Sequence, residues 1–217
     1  MRIEEHKLKI WPIVREAGRT PPPFPSIFFK PNTTVHDHGV PVIIPKIAQD
    51  DQADYEGELV CNSLLFIYFL PALCAHLLTP NQCIVIGKDT KDVSPGEALD
   101  YIAAYTCGND ISSRKLQRDP SLAGRVPQWG FSKGFDTYAP LGPCLVSSSV
   151  IEDPSQLHLK TIIDGQVRQS ETIADMVFDS AYIVSYLSQG TTLQKGSVIM
   201  TGTPGGECKK NTFEAGS

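Results

Sequence analysis

No block of lysine or arginine stands out in these 217 residues, and the formal charge is −5. Binding to a phosphate backbone needs a clustered basic surface, so nucleic acid is excluded as a general partner and small molecules are expected instead. No CxxC pair occurs among the six cysteines, Cys61, Cys74, Cys83, Cys107, Cys144 and Cys208. Their irregular spacing excludes the common zinc and dithiol motifs and favours reduced thiols buried in a core. The best candidate for a membrane span, Leu64 to Leu78, falls short of the ~20 residues a spanning helix needs and carries Pro71 and His76. No membrane association is expected. The opening residues, MRIEEHKLKIW, interleave acids and bases and lack the unbroken apolar core of a secretory signal. That points inside the cell, to the cytoplasm with the mitochondrion as the alternative. No internal repeat is visible either, which excludes solenoid and propeller architectures.

What is present is a strand-rich pattern. Thr20 to Pro45 is dense in proline and holds two short β-prone pieces, SIFF and VPVIIP, which suit strands joined by rigid turns. CIVIGKD reads as a buried strand ending at a glycine. Ser94 to Tyr105 reads as a helix, with Ser94 as cap, Pro95 in the first turn and Ala98, Ile102 and Tyr105 on one face. YTCGNDIS returns to strand and turn. LKTIIDGQV has the form of a hairpin around Asp164-Gly165. In residues 175–189 the stripe Val177, Ala181, Val184 and Leu187 predicts a helix closed by Gly190. KGSVIMTGTPGG closes with a strand running into a glycine-rich turn. The expected class is α+β, strand-rich, in one domain.

Chemistry centres on YEGEL. In a strand, Glu56 and Glu58 leave the same face. Two buried carboxylates side by side need a proton or a shared cation, and a hard, oxygen-preferring divalent ion serves. Taken alone the pair is weak evidence, because acidic pairs are common on surfaces. A third acid, Asp110 in GNDISSRKLQ, ends another β-like piece and precedes Arg114 and Gln117.

The ordered series DYEGEL, VIGKD, NDISSRKLQ, KGFDT before LGP, and TGTPGG resembles the fumarylacetoacetate hydrolase family over most of residues 24–206. The resemblance implies a mixed β-sandwich roll with a few short helices, here expected to be incomplete at both ends. It implies that Glu56, Glu58 and Asp110 hold Mg²⁺ or Mn²⁺. It also implies that Lys133 faces the substrate as a catalytic and binding residue, that Arg114 and Gln117 lie near it, and that Thr203 contacts its acid or oxo group. The substrate class is a small β-diketo or 2-oxo acid, acylpyruvate-like, cleaved at a carbon–carbon bond through a metal-stabilised enolate. Oxaloacetate-type decarboxylation and oxo-acid isomerisation use the same enolate. A homodimer is implied as well.

Two departures stand out. The family's lid carries a His-x-x-Glu dyad that activates water, and the matching place reads IVRE, with Ile13 for the histidine and Glu16 retained. Loss of a general base costs about 10² to 10⁴ in rate. The second departure is Val60 to Gln82, which interrupts the passage of GEL into CIVIGK. Val-Cys can be encoded by GTATGT, a common intron start, and Gln by CAG, a common intron end. An intron of whole codons keeps the frame, so this segment is expected to be translated intron. Gly-Glu-Cys at residues 206–208 can likewise hold GTGAGT, a splice-donor sequence. The expected organisation is an atypical segment over 1–23, a catalytic domain over 24–206 interrupted at 60–82, and an atypical tail over 207–217. On this reading Cys83, Cys107 and Cys144 are ordinary core thiols. The rival classes are an inactive relic of the family and a membrane-associated protein using Leu64 to Leu78.

Overall fold

The computed structural model describes residues 23–50, 52–54, 81–163 and 166–203. Ile13, Glu16, Glu56, Glu58, residues 60–80 and the tail from 204 lie outside the described residues. The strands are β1 (Val35–Asp37), β2 (Ala53–Asp54), β3 (Asn81–Ile86), β4 (Ile102–Gly108), β5 (Ser112–Ser113), β6 (Ala139–Leu141), β7 (Val146–Ser147), β8 (His158–Ile163), β9 (Gln166–Thr172) and β10 (Val198–Met200). Helices are short: α1 (Arg114–Arg118), α2 (Pro120–Ala123), α3 (Trp129–Ser132) and α4 (Ser180–Ser188). The expected strand-rich α+β class is what the chain adopts.

The main sheet runs β1-β6-β4-β3-β10, with β7 also on β4; β1 and β6 are parallel and the other pairs antiparallel. Its centre is β3 against β4. Cys83, Ile84 and Ile86 are buried, as are Ile102, Ala104, Tyr105 and Cys107 opposite them, because both faces of these strands are covered. Val93, Ala98, Ile151 and Val184 of α4 complete this cluster, and each large aliphatic side chain buried there contributes about 1.5–3 kcal/mol. A second cluster, Ala48, Ile111, Leu116 and Tyr138, sits under the chain that follows β4.

The hairpin is present: β8 pairs antiparallel with β9 from His158↔Thr172 to Ile163↔Gln166. Helix α4 begins at Ser180, later than its apolar stripe suggests, because Asp179 caps it, its Oδ1 accepting from the Tyr182 amide at 2.7 Å. Val177 therefore falls outside the helix. Gly190 does close it, with φ +70.

Two secondary-structure expectations fail. Ser94 to Tyr105 is not a helix. Ser94 bonds Glu97 locally, residues 98–101 make one tight turn, and Ile102 enters β4. The ladder to β3 and burial on both faces override a helical spacing. SIFF and VPVIIP are not strands; the strand lies between them, at Val35–Asp37. Proline has no amide to give a ladder, and the Ile43 amide goes instead to the Thr137 hydroxyl at 2.9 Å. The core-thiol expectation holds for Cys83 and Cys107 but not for Cys144, which is exposed because it follows the Gly142-Pro143 corner on the surface. Among the described residues no helix is long and apolar enough to cross a membrane.

Candidate active site

Strands β4 and β10 both flank β3 antiparallel, so both leave the sheet where β3 enters it. Asp110 lies two residues beyond β4, and Thr203 three beyond β10. The chain can turn out of β4 here because residue 108 is glycine. A Cβ there would stand 2.6 Å from Cys83 Sγ and 2.8 Å from Leu141 Cδ2, nearer than real contacts allow.

Asp110 is 4% exposed and holds one ammonium on each oxygen. Lys133 Nζ donates to Oδ2 at 2.5 Å, and Lys30 Nζ to Oδ1 at 2.6 Å. Lys133 is itself buried at the end of α3, its amide bonded to Trp129 O. Its Nζ stands 5.2 Å from the centre of the Phe28 ring, which Trp129 supports edge-on. Lys30 also donates to Tyr138 O at 3.2 Å. The Tyr138 hydroxyl meets Ser113 Oγ at 3.1 Å, and burial raises its pKa above the ordinary phenol value against the lowering effect of that bond. It remains a neutral hydroxyl at physiological pH.

Arg114 opens α1. Its Nε donates to Asp54 Oδ2 at 2.7 Å and Nη1 to Gln117 Oε1 at 3.1 Å, one turn on. Gln117 is buried, so it fixes the guanidinium from below. The Asp54 pair is partly exposed and contributes about 0–1 kcal/mol to stability; it fixes direction more than it stabilises. On the far side of β3, Thr203 is exposed, yet its Oγ1 accepts from Gln169 Nε2 at 2.7 Å, and buried Thr161 donates to Gln169 Oε1 at 3.2 Å.

The structure thus brings Asp110 and Lys133 into contact and joins Arg114 to Gln117, while Thr203 stands at the same end of the sheet. Sequence reasoning missed Lys30, which served only as a landmark in FFKP, and also Asp54 and Gln169. Lys30 is 80 positions from Asp110 and nothing local links them. Carboxylate oxygens are the donors that hard divalent ions take, and a cation at Asp110 would take the place of an ammonium group that its oxygens hold here. Among the described residues Asp110 fits as one ligand, and no group of three ligand-type side chains occurs there.

A family model described as fumarylacetoacetate (FAA) hydrolase C-terminal matches residues 83–217, starting at the residue after the expected insertion. The chain is 37% identical over 191 residues to an uncharacterized protein of Archaeoglobus fulgidus, covering 88% of this chain and 63% of that one. It is 35% identical over 185 residues to an oxaloacetate tautomerase of Bacillus subtilis, covering 85% of this chain and 52% of the relative. The solved structure of a 5-carboxymethyl-2-hydroxymuconate delta-isomerase from Mycobacterium smegmatis superposes with TM-score 0.66 at 35% identity, over 89% of this chain and 63% of that one. The chain spans 56 to 63% of the length of matched relatives from Archaeoglobus, Mycobacterium tuberculosis and Dictyostelium.

Proposed function

Because this chain belongs to the fumarylacetoacetate hydrolase family, we propose that it is a divalent-metal-dependent enzyme that hydrolyses a carbon–carbon bond in a small β-diketo or 2-oxo acid, acylpyruvate-like, as a cytoplasmic homodimer. The observation that carries this is the buried Asp110 carboxylate between Lys133 and Lys30 at the end of the sheet where β3 enters. Glu56, Glu58 and Asp110 would hold Mg²⁺ or Mn²⁺. The ion supplies Lewis acidity at the substrate's carbonyl oxygens.

This chain's own residues bind and orient the substrate. Lys133 keeps a proton at Nζ within reach of the same place as Asp110 and can hold a substrate oxygen as charge builds on it. Arg114 presents a planar fork suited to a carboxylate, aimed by Asp54 and Gln117. Thr203, held by a hydrogen bond from Gln169, would contact an acid or oxo group of the substrate. Glu16, by its match to the lid dyad, acts on water.

A second reading has its own support. Ile13 stands where the water-activating histidine is expected, and isomerisation or tautomerisation of an oxo acid needs no activated water. The relatives named as a tautomerase and an isomerase agree with this.

Incubation with Mg²⁺, a panel of acylpyruvates and oxaloacetate, followed by NMR in D₂O, separates the two. Cleavage products support hydrolysis; deuterium exchange or keto–enol interconversion without cleavage supports the second reading. Loss of either activity in Glu58→Ala supports the metal role, and Mn²⁺ binding without turnover would leave an inactive relic. Asp54→Ala is expected to shift the unfolding midpoint by about 0–1 kcal/mol equivalent. Steady-state kinetics should show KM raised several-fold with kcat little changed, since only the aim of Arg114 is lost.

A further inference from the structure

Residues 28–31 lie against helix α3 as an extended strap. Phe29 is 84% exposed, while Phe28 and Lys30 on either side of it are partly buried against the molecule. The fold gives this strap a fixed place. Glycine is needed at 134, just after α3, because a Cβ there would run into the Gly130 carbonyl oxygen and stand 3.3 Å from Pro31 Cδ. Beyond the strap, the Pro31 carbonyl accepts from the Thr34 amide at 3.0 Å and from its hydroxyl at 2.7 Å. The Thr33 carbonyl accepts from the Thr137 amide at 3.2 Å.

Lys133 follows α3 and carries its ammonium to the strap. Two groups meet it there: Asp110 Oδ2 at 2.5 Å, and the face of the Phe28 ring, whose centre is 5.2 Å from Nζ. The Trp129 ring stands edge-on to Phe28, with centres 5.8 Å apart and planes at 88°. An ammonium over an aromatic face is attracted by the ring quadrupole, most strongly where water does not compete. The Lys133 side chain is 2% exposed. By contrast Lys88, over the Tyr101 ring at 4.1 Å, is exposed, so its closer approach gains less.

We propose that Phe28 is a positioning residue: its ring face holds the Lys133 ammonium in the place from which that group meets the substrate. This rests on the proposed role of Lys133 at the substrate. A lysine ammonium is a compact charge on a flexible stem, so its surroundings decide where it stands. Here the carboxylate fixes it on one side and the ring on another. Lys30, two residues after Phe28, reaches the other oxygen of Asp110 at 2.6 Å. One short strap therefore acts on Lys133 twice, through the ring directly and through the carboxylate by way of Lys30.

The attraction depends on the quadrupole of the ring rather than its size, and fluorine weakens the quadrupole with little change of size. In the full chain, mono-, di- and trifluorinated phenylalanine placed at position 28 by nonsense suppression are compared with the native ring. The readouts are thermal unfolding and steady-state turnover of oxaloacetate and an acylpyruvate with Mg²⁺. The unfolding temperature is expected to fall stepwise with fluorine number, and the same series in Lys133→Met, where Asp110 keeps Lys30, should show no such trend. In the native background kcat should fall in step, by about tenfold at three fluorines, with KM little changed. Phe28→Tyr, which keeps an aromatic face, should retain most of kcat, and Phe28→Leu should not. An equal trend in both backgrounds would overturn the inference, because the ring then serves Trp129. So would a flat series in the native background, or a trend in unfolding temperature with none in kcat. Where no turnover is seen, the two unfolding series decide. Turnover at the native rate in Lys133→Met would overturn the substrate role of Lys133, while the unfolding series still shows whether the ring holds the ammonium.

Discussion

Asp110→Ala is expected to cost about 3–5 kcal/mol of folding stability, because it leaves two ammonium groups buried without their shared anion. Lys133 is 2% and Lys30 11% exposed at the side chain, so water cannot take over the role of the carboxylate without the site opening. Urea unfolding measures the loss. The triple variant with Lys30→Met and Lys133→Met is expected to recover most of it, since apolar side chains of similar length bring no buried charge that needs the carboxylate. Neither variant should bind Mn²⁺. An unfolding midpoint unmoved by Asp110→Ala would mean that the three groups are not buried together in solution.

The stability cost and the proposed chemistry have the same origin. A carboxylate compensated by two lysines is a place where positive charge can be exchanged among an ammonium, a metal ion and a proton without creating an unpaired anion. It stands two residues beyond the end of β4 and is buried, so a ligand would reach it by displacing an ammonium group. The glycine at 108 is what permits β4, β6 and β10 to crowd together immediately before it.

Which parts of this were legible in the sequence follows from the range of the interactions involved. The β8–β9 hairpin is carried by a local turn signal, and β3 and β10 by β-branched runs against glycine. The stretch from Ser94 to Tyr105 misleads because its apolar spacing fits a helix, while a long-range ladder to β3 decides its structure. SIFF misleads in the opposite way, having strand-forming residues but flanking prolines and no partner strand among the described residues. At the site, Asp110 and Lys133 are identified through resemblance, since their 23-position separation has no local meaning. Lys30, Asp54 and Gln169 act through partners 80, 60 and 34 positions away. The insertion is the instructive case. The order of motifs suggests where it begins and ends, and residues 60–80 lie outside the described residues.

Ile13→His, made in the chain lacking 60–82, is expected to raise hydrolysis of an acylpyruvate by about 10² to 10⁴-fold, the usual contribution of a general base. Ile13 and Glu16 stand three apart, so on a helix they share a face and the carboxylate can orient an imidazole beside it. Carbonyl–enol interconversion of oxaloacetate uses no activated water, and its rate should be nearly unchanged in the same variant. A selective rise in hydrolysis would assign Lys133, Arg114 and Thr203 to binding and charge stabilisation, with water activation as the function this chain lacks at position 13. If hydrolysis stays flat while interconversion persists, the ground for reading the site as a hydrolase falls, and the isomerase-type chemistry becomes the one its residues serve.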